Sequence, residues 1–234
     1  MKEQTTDLVV QTERLEKTYR TDSVETLALR GVDLELTRGE FAALAGPSGS
    51  GKSTLLHLVG GLLSPSSGSI WLNGHRLNEL DANDLAEVRL REIGFVFQAY
   101  NLIPVLTVLE NAAFVMELQG ISSKERRQRA LDVLKTLGVD AYAERFPNKL
   151  SGGQQQRVAV ARAVAPGPSL VLADEPTANL DSETGHNLIE LMRGLNRERG
   201  VTFLFATHDD RLLGSVDRVI HLEDGQISSD ERRS

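Results

Sequence analysis

Phe41-Ala42-Ala43-Leu44-Ala45-Gly46-Pro47-Ser48-Gly49-Ser50-Gly51-Lys52-Ser53-Thr54 is the stretch that decides the fold. Five apolar residues run into a glycine loop, and Lys52 to Val59 then repeats apolar residues at helical spacing. The stretch therefore reads as buried strand, loop, helix. Gly46 to Ser53 has the spacing G-x-x-x-x-G-K-S, and its glycines let backbone N–H groups converge on phosphate oxygens without Cβ interference. The helix that follows points its positive end at the same place. Lys52 suits the β and γ phosphates of a nucleotide, and the Ser53 hydroxyl suits Mg²⁺. Gly46, Ser48, Gly49, Ser50, Gly51, Lys52, Ser53 and Thr54 form the candidate phosphate cradle. A glycine turn that merely joins strand to helix is the rival reading, and the strand–loop–helix context argues against it.

Outward from this loop, Leu8 to Tyr19 and Gly31 to Leu36 read as alternating strands. Ser69 to Leu72 and Gly94 to Phe97 read as two more, with a helix from about Asp84 to Glu92 between them. From Thr107 to Val164 the pattern is helical, over Val108–Leu118, Lys124–Leu137 and Gly152–Val164. Alternation resumes with strand Leu170–Ala173, helix Ser182–Glu198 and strands Thr202–Ala206 and Arg218–Leu222. Glu223-Asp224-Gly225-Gln226 reads as a hairpin tip, and the polar tail Ser228 to Ser234 is expected to fray. The pattern predicts an α/β fold: a P-loop NTPase core, with a mostly parallel sheet and an antiparallel β part, plus an inserted helical subdomain. The expectation is a single domain, with its core in 1–98 and 165–234 and the helical subdomain at about 99–164.

Composition narrows the function classes. The chain has 234 residues, 40% hydrophobic and 25% charged, which suits a globular protein with a sizeable core. No apolar run approaches a membrane span, and the start, Met1 to Asp7, lacks the apolar stretch of a secretory signal. There are no cysteines, so disulfides and thiolate metal sites are excluded. The net charge of −7 disfavours nucleic acid as a partner. The cytoplasm is the expected compartment.

Leu170-Val171-Leu172-Ala173-Asp174-Glu175 is an apolar strand that ends in two carboxylates. Strand carboxyl ends face the ligand in parallel sheets, so both can arrive near a nucleotide's Mg²⁺. Asp174 suits a Mg²⁺ contact through water, and Glu175 suits the general base for an attacking water. Acidic pairs also open ordinary loops, and Pro176 follows; the phosphate loop upstream weights the functional reading. Asn148-Lys149 is followed by Leu150-Ser151, unlike the Asn-Lys-x-Asp guanine reader, so adenine is the expected base. Tyr19 could stack on it, or be a plain surface aromatic. Ser151 is well placed to cap the helix opened by Gly152 and Gly153, and that end offers free N–H groups to a γ-phosphate.

Leu150-Ser151-Gly152-Gly153-Gln154 resembles the signature motif of the ATP-binding-cassette ATPases, and the resemblance covers nearly the whole chain. Gln98 matches that family's glutamine loop, Asn179-Leu180-Asp181 its loop after the carboxylates, and His208 its switch histidine. The resemblance implies ATP and Mg²⁺ as cofactors, with Ser53, Gln98 and Asp174 at the metal and Glu175, Gln98 and His208 in catalysis. It also implies that Ser151, Gly152, Gly153, Gln154 and Asp181 serve the nucleotide, and that the signature of one subunit closes over the phosphate loop of another in a homodimer. Gly94-Phe95-Val96-Phe97-Gln98, Leu102-Ile103-Pro104 and Gln155-Gln156-Arg157 look like the subgroup serving lipoprotein release, macrolide-type efflux and bacterial cell division. Integral-membrane permease subunits are then expected partners, with the chain peripheral on the cytoplasmic face of the inner membrane. A non-transporting signalling complex of the cell-division type and a solute importer are the alternatives. Soluble DNA-repair ATPases with these motifs usually carry long or zinc-binding insertions, which this length and cysteine count disfavour. Phe97, Tyr100, Leu102, Ile103, Pro104 and Leu106 are either a permease-binding surface or helical core.

Overall fold

The computed structural model describes residues 7–20 and 25–233, apart from the side chains of residues 210 and 211. The expectation about the first residues, up to Thr6, and Ser234 of the tail lie outside that description. In chain order the strands and helices are β1 (Leu8–Arg20), β2 (Glu25–Thr37), β3 (Phe41–Ala45), α1 (Lys52–Val59), β4 (Ser67–Leu72), β5 (His75–Arg76) and α2 (Ala82–Glu92). Next come β6 (Ile93–Val96), α3 (Val108–Leu118), α4 (Ser123–Thr136), α5 (Gly152–Val164), β7 (Leu170–Asp174) and α6 (Ser182–Arg199). The last are β8 (Thr202–Ala206), α7 (Asp210–Leu213), β9 (Arg218–Glu223) and β10 (Gln226–Arg232). They fall into two compact units, Met1–Ala86 with Thr202–Ser234, and Glu87–Val201.

The first unit is two β-layers with α1. One layer is the antiparallel order β2-β1-β4-β5, in which β2 alternates buried and exposed residues from Val32 to Leu36, as a one-sided sheet should. In the other, β3 runs parallel to β8 and to β9, and β10 turns back antiparallel on β9. All five residues of β3 and all five of β8 are buried, which is why both read as uninterrupted apolar runs. Phe41 anchors this core, with its ring centroid 5.4 Å from those of Phe203 and Phe205. Asp224 and Gly225 have φ of 48° and 79°, the pair of left-handed residues a two-residue hairpin needs.

The tail corrects one expectation. Ser228 to Arg232 is not frayed but paired with β9, although it carries no apolar alternation. Charge supplies what apolar burial lacks: buried Arg218 on β9 forks onto Asp230 at 2.8 and 2.6 Å and also reaches Glu40 at 2.8 Å.

The second unit packs α3, α4, α5 and α6 with the parallel pair β6 and β7, in register from Ile93↔Leu170 to Val96↔Ala173. Gly94 lets α5 approach β6 closely, since a Cβ there would meet the Ala163 carbonyl oxygen at 2.4 Å. α3 begins with a capping box, in which Thr107 and Glu110 satisfy each other's backbone N–H groups.

Candidate functional site

In the first unit, the loop that follows β3 takes the shape its glycines permit. Gly46, Gly49 and Gly51 have φ of 141°, 82° and 105°. At Gly46 the requirement is also spatial, because a Cβ would lie 2.1 Å from the carbonyl oxygen of Leu222 on β9. The loop is stitched to the hairpin tip: Gly225 N–H donates to the Ser50 carbonyl at 3.1 Å, and Arg30 N–H to the Gly225 carbonyl at 2.9 Å. Lys52 is buried, and its Nζ donates to the carbonyls of Gly46 and Pro47 at 2.7 and 2.9 Å. The ammonium thus sits within the loop, held by its carbonyls. Ser53 is exposed at the start of α1. Tyr19 Oη lies 3.4 Å from Thr54 Oγ1, so the structure brings the candidate base-stacking ring to the same helix start. Lys17 Nζ stands 5.4 Å from that ring's centroid, leaving the ring partly exposed.

His208 follows β8 by two residues. Thr207 before it is buried, its N–H bonded to the Leu44 carbonyl at 3.1 Å and its Oγ1 accepting from the Asp209 N–H at 3.0 Å. The exposed imidazole is therefore presented from a fixed backbone. Because β3 and β8 are parallel, with Leu44 opposite Ala206, the phosphate loop and His208 emerge from the same end of adjacent strands.

The second unit repeats this device. β6 and β7 are parallel neighbours; Gln98 follows the carboxyl end of β6, and Asp174 ends β7 with Glu175 just beyond it. Asn179 Nδ2 donates to the Gln98 carbonyl at 2.9 Å and ties the two loops together. Asp174 and Glu175 are half-buried, and Glu175 has φ of 47°. Asp181 caps α6, accepting from the Thr184 N–H at 2.9 Å, and that backbone bond holds its carboxyl below the usual value.

Ser151 is exposed and caps α5 in a capping box: Ser151 Oγ accepts from the Gln154 N–H at 3.3 Å, and Gln154 Oε1 accepts from the Ser151 N–H at 2.9 Å. The hydroxyl thereby acts as an acceptor and keeps its own proton to donate. Both signature glycines are sites of close packing. A Cβ on Gly152 would lie 2.8 Å from Tyr100 Oη, and one on Gly153 2.6 Å from Thr184 Cγ2.

Of the six apolar residues beside Gln98, Pro104 is exposed and Phe97, Tyr100, Leu102, Ile103 and Leu106 are half-buried; Val105, between them, is 77% exposed. Two polar residues to which the sequence reading gave no site role shape this loop. Buried Asn111 bonds Ile103 N–H at 2.8 Å and the Ile103 and Leu106 carbonyls at 3.1 and 3.0 Å; Arg162 reaches the Tyr100 carbonyl at 3.0 Å. Burial lowers the Arg162 pKa from its ordinary value. Their signal in the sequence was a polar residue on an otherwise apolar helical face.

Residues 29–178 match the family model for the ABC transporter. The chain is 47% identical over 203 residues to the ABC transporter ATP-binding protein YtrE of Bacillus subtilis, covering 87% of this chain and 88% of that one. It is 43% identical over 225 residues to the lipoprotein-releasing system ATP-binding protein LolD 1 of Caulobacter vibrioides, covering 96% of each. An ATP-binding cassette of Methanocaldococcus jannaschii, solved as a dimer in a post-hydrolysis state with ADP and Pi, superposes with a TM-score of 0.88 at 43% identity, over 96% of this chain and 99% of that one. With its phosphate loop, carboxylate pair and capped signature helix, the chain belongs to the ABC transporter family, as one of its ATP-binding ATPase domains.

Proposed function

We propose that this ATPase dimerises on ATP and drives integral-membrane permease subunits of the lipoprotein-release or macrolide-efflux type from the cytoplasmic face of the inner membrane. The observation that carries the dimer is the end of α5. It is an exposed helix start capped by Ser151, whose hydroxyl has a proton to donate, and the chain also carries the helix start that follows the phosphate loop. A chain with two anion-binding helix ends suits a two-fold pair in which each copy supplies both halves of a site. The dimeric relative with ADP and Pi supports this reading. The core and helical parts, 1–98 with 165–234 and about 99–164, would then act as one ATPase domain.

In the site, Gly46, Ser48, Gly49, Ser50, Gly51, Lys52, Ser53 and Thr54 hold the phosphates, and Tyr19 stacks on adenine. Ser151, Gly152, Gly153 and Gln154 serve the partner's γ-phosphate, and Asp181 sets the loop beside it. Glu175 takes the proton of the attacking water, His208 donates to the developing charge, and Gln98 orients the water. Ser53, Gln98 and Asp174 all offer oxygen donors, which fits Mg²⁺ rather than a softer metal. When bound, Mg²⁺ neutralises charge on the phosphates. The partly exposed apolar rim at Leu102 to Leu106 suits a permease segment, and the net charge of −7 disfavours nucleic acid. A non-transporting signalling complex, or a solute importer, would use the same chemistry and differ only in the membrane partner.

Glu175→Gln should abolish phosphate release and preserve ATP-dependent dimerisation, measured by malachite-green assay and size-exclusion chromatography. Retained turnover would remove Glu175 from catalysis, and a monomer with ATP would remove the dimer. Leu102→Glu should reduce co-purification with the permease from solubilised membranes by about ten-fold while ATP binding is kept, since a charge on an apolar contact costs about 1–3 kcal/mol.

A further inference from the structure

Glu175 occupies the left-handed region, at φ 47°, which a residue with a Cβ adopts only when its surroundings hold it there. Upstream the holding is plain: Ala173 pairs with Val96, so the chain enters Glu175 from a fixed ladder. Downstream the chain passes Pro176 and a turn in which the Ala178 N–H donates to the Glu175 carbonyl at 3.2 Å. The turn is anchored from α5. Gln156 is fully buried, and its Nε2 donates to the Pro176 carbonyl at 2.8 Å. Its Oε1 is buried and finds no hydrogen-bond partner among the described residues. An amide buried with its oxygen unsatisfied is unfavourable for packing alone, so the N–H it delivers is its contribution.

We propose that Gln156 is a positioning residue for hydrolysis, holding the peptide after Pro176 so that Glu175 stays in its left-handed conformation with its carboxylate aimed at the attacking water. The inference rests on the reading of Glu175 as the general base. Proline fixes its own φ, so clamping the Pro176 carbonyl leaves the chain between the strand and the turn little freedom except at Glu175. Loss of the clamp releases the carboxylate but leaves the Lys52 bonds to the Gly46 and Pro47 carbonyls in place. The rate of the chemical step then falls while nucleotide affinity does not. Gln156 also belongs to α5, whose first residues carry the signature, so one rigid helix holds both the γ-phosphate anchor and the base.

The test compares Gln156→Met, Gln156→Glu and Glu175→Gln in the full chain with ATP and Mg²⁺. Gln156→Met keeps the side-chain length and removes the donor. Its kcat should fall by about ten- to a hundred-fold, with KM for ATP and ATP-dependent dimerisation within about two-fold of the parent, as for a misaimed catalytic group. Gln156→Glu supplies a pH readout, since only the protonated carboxyl can donate to the Pro176 carbonyl and burial raises its pKa. Its kcat relative to the parent should rise between about pH 8 and about pH 6. An unchanged kcat in Gln156→Met, a KM that rises in proportion, or a flat pH ratio in Gln156→Glu overturns the proposal while Glu175→Gln remains inactive. If Gln156→Met fails to fold, the pH ratio decides. Turnover by Glu175→Gln overturns the general-base reading itself, and the positioning role with it.

Discussion

Gly46 shows what a single residue can and cannot disclose. Its place in G-x-x-x-x-G-K-S was legible, as was the convergence of N–H groups that glycine permits. The stricter reason was not: the Leu222 carbonyl, far along the chain, would stand 2.1 Å from any Cβ at φ 141°. Gly46→Ala should therefore cost about 2 kcal/mol of stability and abolish ATP binding, read by urea unfolding and equilibrium dialysis. A soluble, ATP-binding variant would mean that the loop can be reshaped without β9. The same contrast holds at Gly152 and Gly153, where the motif was visible but the neighbours that crowd them, Tyr100 and Thr184, were not.

At the scale of elements, the strongly periodic segments were the legible ones. α1, α3 and α5 have the bounds that their apolar spacing predicts, because caps and core-facing stripes are written locally. The α3 capping box is such a local device. The Thr107 backbone N–H, and then its hydroxyl, hold the Glu110 carboxyl below its usual pKa. Thr107→Ala should lower the urea midpoint by the equivalent of about 1 kcal/mol with ATPase activity unchanged. β10 was not legible, since Ser228-Ser229-Asp230-Glu231-Arg232 carries no apolar period and is bound by a distant guanidinium.

At the scale of the whole molecule, strand order was the least accessible quantity. The orders β2-β1-β4-β5 and β10-β9-β3-β8 depend on pairings between remote segments that no local pattern announces. The cluster on Arg218 fastens several of these segments at once, since its guanidinium donates to the Glu35 backbone carbonyl in β2 and to the carboxylates of Glu40 before β3 and Asp230 in β10. Hydrogen bonding to Arg218 lowers the Asp230 pKa, and the bond to Asp230 raises that of Arg218. Asp230's contribution is therefore present above the unfolded carboxylate value of about 3.9 and is lost as pH falls through its lower folded value. Asp230→Asn should be less stable than the parent by about 1 kcal/mol at neutral pH, and the gap should close below about pH 4. Thermal melts across that range would show it, and a gap that persists in acid would mean that the pair is not the source.

The hairpin tip stitched to the phosphate loop sets an order of events during synthesis. Gly46 to Ser53 leave the ribosome early, but their cradle is walled by Leu222 and pinned by Gly225, which emerge much later. A ribosome stalled before residue 218 would carry the motif in full and hold no nucleotide. Nucleotide binding should therefore wait until translation has passed the hairpin, and a truncated product should stay unliganded.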